Sequence, residues 1–165
     1  MKRLTSISLI ATVALACASC FTQPDCIVTA SMEIKIDFKQ IKLNRQTNVR
    51  TVVDTLVSFQ SISIADIDSA YLKNVVASSL TLPINPNKSS IKYTFVRNGR
   101  QTTSPKVTET ITFTYNNETR IISAQCGAFV YFLNLEIADS SYGSSQFKIL
   151  NDRLLKSTSN VQIFF

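Results

Sequence analysis

From Met32 to Phe38 the chain reads Met-Glu-Ile-Lys-Ile-Asp-Phe, apolar and charged side chains in strict alternation. Consecutive side chains of extended backbone point to opposite faces. Ile34, Ile36 and Phe38 therefore share one face, and Glu33, Lys35 and Asp37 the other. Such a segment needs a core on one side and water on the other, which is the situation of a strand in an antiparallel sheet. The period returns in Ile91-Lys-Tyr-Thr-Phe95, in Ile111-Thr-Phe-Thr-Tyr115, and at Val161, Ile163 and Phe165. Leu56–Ile64 follows it less strictly, with Phe59 out of step.

Turn chemistry divides these runs. Leu82-Pro-Ile-Asn-Pro-Asn87 separates a strand near 79–84 from one at 90–97. Asn98-Gly99 is a strong hairpin signal, and Thr102 to Pro105 extends that loop before a strand from Val107. Asn116-Asn117-Glu118 reads as a tight hairpin joining strands 107–115 and 119–125. Phe129-Val-Tyr-Phe-Leu-Asn-Leu135 is nearly continuous in apolar residues and reads as a central strand buried on both faces. Residues 138–146 read as polar loop. Only Ala65–Val76, with Ile67, Tyr71 and Val75 four apart, hints at a helix. Seven or more short strands predict an all-β, mainly antiparallel domain, a two-sheet β-sandwich for which the immunoglobulin-like arrangement is one precedent.

The N-terminus has a different logic. Lys2 and Arg3 precede an uncharged run from Leu4 to Ala16, the pattern of a secretory signal peptide and too short for a spanning helix of about 20 residues. Small residues lead directly into cysteine at Ala16-Cys17 and at Ala18-Ser19-Cys20, as at the lipid-attachment site of bacterial lipoproteins. Parity separates the two. Processing at Cys20 discards Cys17, lipidates Cys20 and leaves Cys26 and Cys126, whereas processing at Cys17 leaves an odd thiol in an oxidising compartment. The expected organisation is a signal peptide over 1–19, a lipidated tether over 20–25 and a sandwich domain over 26–165. Phe21 rather than Asp after the lipidated cysteine argues against retention in the inner membrane, and so for an outer-membrane anchor.

Cys26 and Cys126 are then expected to form one disulfide, which export permits. A buried free pair and a metal site are the competing uses. With no histidine in the chain, two thiols cannot complete a zinc site from soft ligands. Removing residues 1–19 leaves 146 residues, with 15 basic against 11 acidic side chains, net +4. That suits one domain, and without a basic cluster it gives no nucleic-acid footprint.

Several motifs occur together in one order: Asp25-Cys26, Leu82-Pro83-Ile84, Thr110-Ile-Thr-Phe-Thr-Tyr115, Ser123-Ala-Gln-Cys-Gly127 and Val161-Gln-Ile-Phe-Phe165. The set resembles a family of small lipoproteins of the Bacteroidota type that carries no assigned activity. The resemblance implies that Cys26 and Cys126 are framework positions. The chain departs from it near 142–150, where Tyr142 and Phe147 stand in place of a Trp-containing segment.

The chemistry left to such a chain is narrow. Without histidine, Ser/His/Asp and Cys/His catalysis are excluded. Ser89-x-x-Lys92 and Ser145-x-x-Lys148 have a Ser–Lys spacing that works on a helix, but on a strand it points the two side chains apart. Asp66-Ile-Asp68 lacks the later ligands of a calcium loop and reads as a solvated turn. Glu33, Glu109, Glu118 and Glu136 are the carboxylates from which an exported glycan hydrolase would draw its pair. Nothing in the sequence singles out a pair. The chain therefore predicts no catalytic residue, no metal and no cofactor. It predicts a membrane anchor at Cys20 and a non-enzymatic module that binds a protein or glycan partner or serves structurally.

Overall fold

The computed structural model describes residues 26, 28–65, 67, 69–98 and 105–165; Cys17, Cys20, Asp66, Asp68 and the Gly99 position of the Asn98-Gly99 turn lie outside them. Two sheets face each other. The first is built on β1 (Glu33–Asn44), whose one edge pairs antiparallel with β5 (Ser79–Pro83) over its first half and with β2 (Val49–Asp54) over its second. Its other edge pairs parallel with β10 (Val161–Phe164), which in turn takes β9 (Phe147–Ile149). The second sheet runs β4 (Leu72–Ala77), β3 (Val57–Ile64), β6 (Ser90–Arg97), β7 (Val107–Ser123), β8 (Gly127–Ser140), every neighbouring pair antiparallel.

The alternating runs supply the core as their period requires. Ile34, Ile36 and Phe38 from the first sheet meet Tyr93, Phe95, Ile111 and Phe113 from the second, all within 1% of full burial. Rings interlock between the sheets, with Phe38 and Phe59 centroids 5.1 Å apart and tilted. The displaced step at Phe59 has a local cause. A β-bulge between Phe59 and Ser61 adds a residue to β3, so Val57, Phe59, Ile62 and Ile64 all point inward while Leu56 stays exposed.

The two-sheet sandwich is as expected, with its own strand order. β6, β7 and β8 are neighbours both in sequence and in the sheet, whereas the constant-type immunoglobulin arrangement sets no three consecutive strands side by side. Four sequence expectations are corrected. Residues 116–118 are not a turn: β7 continues through them, Asn117 opposite Phe132 and Glu118 opposite Tyr131, and the chain reverses only at 124–126. Residues 138–140 belong to β8 rather than to a loop, because Asp139 and Ser140 pair with Thr112 and Ile111. Residues 72–76 lie in β4, a strand rather than the hinted helix, paired along β3. Phe129–Leu135 lies in the edge strand β8 rather than in a central one, and only Phe132 and Leu135 of the run are fully buried. Asn134, at φ 54°, and Leu135 together stand opposite the single residue Tyr115, and this one extra residue breaks the alternation there.

Candidate functional site

Two hairpins run beyond the sandwich at opposite ends. Past Phe38, β1 and β2 leave the core where Phe59 lies opposite Arg97, and they expose Ile41, Leu43, Val49 and Val52. Past Tyr115, β7 and β8 leave at the end where Ser90 lies opposite Thr114. Asn116–Ser123 are all exposed, and eight residues of strand at roughly 3.3 Å each project about 26 Å.

The outer end of this second hairpin carries the cysteines. Cys26 and Cys126 are joined, Cα atoms 5.7 Å apart and 100 residues apart in sequence. The turn that presents Cys126 is made locally. Ser123 Oγ accepts the Cys126 amide at 3.0 Å, and Gly127 takes φ +73°, a conformation that a side chain would strain. From the disulfide, residues 29–31 run back to β1 beside the 154–156 segment, through Lys156 N–H to Thr29 O, Ser31 N–H to Leu154 O and an Ala30–Leu155 bridge. That segment also covers the free edge of β8, where Leu154 N–H donates to Phe132 O and Leu135 N–H to Asp152 O. One buried side chain holds the segment to the first sheet. Asn160 is fully buried; its Oδ1 accepts the Lys35 amide at 3.0 Å, and its Nδ2 donates to Asn151 O and Arg153 O.

At the base of the same hairpin lies a cleft of about 430 Å³, walled by Ile64, Ile67, Pro83, Ile84 and Ile91, with Lys88 and Lys92 at its margin. The Leu82–Asn87 crossover between the sheets forms one side of it. Two core tyrosines hold that crossover: Tyr93 O–H donates to Pro83 O at 2.6 Å and Tyr115 O–H to Asn85 O at 2.8 Å. Burial pushes both phenols above their ordinary range, so they stay neutral donors. Among the described residues, no carboxylate lines this cleft. Glu109 is held bidentate by Arg97, at 2.6 and 2.8 Å, near the opposite end of the sandwich. Glu118 pairs with Arg120 on the exposed hairpin, and that guanidinium lowers its pKa. Glu33 starts β1 opposite Pro83, and Glu136 lies on β8 opposite Thr114. The four carboxylates are thus spread over both sheets and both ends. Lys92 borders the cleft while Ser89 does not, and Ser145 and Lys148 occupy a 3-10 turn and β9. Among the described residues, no three His, Cys, Asp or Glu side chains stand close enough to hold a metal.

The model of the Family of unknown function (DUF6452) matches residues 56–165, more than half of the chain. The chain belongs to this family. The match spans β3 to β10 and includes Cys126, while Cys26 and the β1–β2 hairpin precede it. Searches of curated proteins and of solved structures find no match. For this DUF6452 member the sequence located the cysteine pair and the inward faces, but not Asn160, which no spacing rule marks. Its only signal is position, immediately before the Val161–Phe164 strand, where an amide side chain can satisfy backbone groups that the sheet does not.

Proposed function

We propose that this DUF6452 protein is an exported, lipid-anchored envelope module that binds a protein or glycan partner or serves structurally, without chemistry of its own. The observation that carries this reading is the Cys26–Cys126 bond. It lies at one extreme of the molecule, six residues after the Cys20 lipidation position, and disulfides of this kind persist in oxidising compartments. The scattered carboxylates and the missing histidine support binding over hydrolysis. The signal-like residues 1–19 and the small residues before Cys20 support the anchor, with Phe21 favouring the outer membrane. Two or three acyl chains would hold the domain stably, where one chain holds only marginally.

Fractionation tests the reading. Cys20→Ala is expected to leave the protein unprocessed or to release it from the membrane fraction, while Cys17→Ala leaves it in place. The reverse pattern would move the lipid to Cys17. A wild-type protein recovered from the cytoplasm with its first nineteen residues intact would defeat the proposal. Gentle crosslinking of the native protein, followed by pull-down, is expected to recover the partner.

A further inference from the structure

We infer that the turn of the β7–β8 hairpin is a second membrane contact, seated in the lipid surface to which Cys20 attaches; this rests on the anchoring reading above. The disulfide fixes Cys26 against the turn, and six residues of chain reach at most about 20 Å. The hairpin tip is therefore confined close to the bilayer.

What the tip presents fits that place. From Thr119 to Val130 there is no acidic residue and a single basic one, Arg120. Ile121 is 80% exposed and Ile122 41%, both beside the turn, with Ala124 and Ala128 exposed next to them. Ile122 is the extra residue of a bulge between the Ile121 and Ser123 pairs, which leaves two adjacent isoleucines without an inward side to enter. One layer nearer the sandwich, the Arg120 guanidinium lies 5.4 Å from the centre of the Tyr131 ring and pairs with Glu118. An uncharged tip, its exposed isoleucines interspersed with Ser123 and Gln125, below a collar of Arg and Tyr is the order in which a membrane interface places these groups, apolar side chains innermost and amphipathic ones at the headgroups. The apolar hairpin at the opposite end has no such tie to the anchor.

The chain has no tryptophan, so Ile121→Trp creates a sole tryptophan at an exposed site, excited apart from the five tyrosines. The full-length lipidated variant is reconstituted in vesicles of phosphatidylethanolamine and phosphatidylglycerol, with and without brominated acyl chains. Leu56→Trp, 72% exposed at the far end, is the control. The expected result is blue-shifted emission from the Ile121→Trp protein that loses most of its intensity with brominated lipid, and water-like, unquenched emission from the control. Unquenched Ile121→Trp emission in a protein whose Cys20 carries lipid overturns the inference and leaves the anchor standing. Blue-shifted emission that brominated lipid does not quench places the tip against protein and also overturns it. A protein with no lipid on Cys20 that does not associate with membranes overturns the anchoring reading itself.

Discussion

Asn160 concentrates more of the fold in one side chain than any other polar residue. Tyrosines aside, it is the one described polar side chain that is fully buried, and it serves three backbone groups on two separate segments. Each buried partner left unpaired costs about 1–3 kcal/mol. Asn160→Ala is therefore expected to destabilise the domain by about 3 kcal/mol or more, as a shift in urea midpoint with the slope unchanged. A loss below about 1 kcal/mol would mean that water replaces the amide. Tyr93 makes a pH-dependent contribution. Its folded-state pKa lies above the ordinary tyrosine value of 10.0 because of burial first and nearby tyrosines second. The unfolded chain thus loses the proton first, so this contribution is intact below about pH 10 and is lost as pH rises further. Unfolding measured between about pH 7 and about pH 11 should show stability falling above about pH 10. Tyr93→Phe should flatten that fall in part, because Tyr115 and Tyr142 are shifted in the same direction. It should cost about 1 kcal/mol at neutral pH through the lost Pro83 bond.

Among the elements, β10 is short and central. It lies between β1 and β9, buries Val161 and Ile163 completely, and is followed by Phe165, whose ring stands edge-on to Phe38 and Tyr142 beneath the Arg97 guanidinium. Removing residues 159–165 deletes two fully buried apolar side chains worth roughly 1.5–3 kcal/mol each, the parallel ladder and the Asn160 bonds. Against a typical total of about 5–15 kcal/mol, the truncated chain is expected to lose its cooperative melting transition. An unchanged transition would show the strand to be dispensable. The strict alternation in Ile34–Phe38, Ile91–Phe95, Ile111–Tyr115 and Val161–Phe165 was legible because a single buried face imposes period two. The failures share a different physics. Asn116-Asn117-Glu118 has turn composition, yet an exposed hairpin arm has no buried face to select against polar residues, and Asn117 Nδ2 instead donates to Pro86 O. Phe129–Leu135 is apolar, yet it flanks an arm and a covering segment rather than two sheets. Bulges near Phe59, Asn134 and Ile122 shift the period by one, and composition does not announce them.

At the scale of the molecule, the described residues form one sandwich with a projecting hairpin at each end, one of them bonded to the start of the domain. A link spanning 100 residues restricts the unfolded chain by up to about 4.7 kcal/mol in the chain-entropy account. Reduction is expected to lower the melting temperature by several degrees while the sheets persist below it, followed by circular dichroism. The sandwich class and the cysteine pairing were legible in the sequence. The placement of the disulfide at a hairpin tip was not, because it depends on β7 running eight residues past the core. Under the proposed function the molecule is held at this end, by lipid on Cys20 and by the Cys26–Cys126 bond. Peptide mass spectrometry of the native protein, digested without reduction after thiol alkylation, addresses both at once. The expected product is an N-terminal peptide that begins at Cys20, carries diacylglycerol and is linked through Cys26 to the peptide containing Cys126. Peptides from residues 1–19 joined to an unmodified Cys20, or alkylated thiols at Cys26 and Cys126, would contradict it.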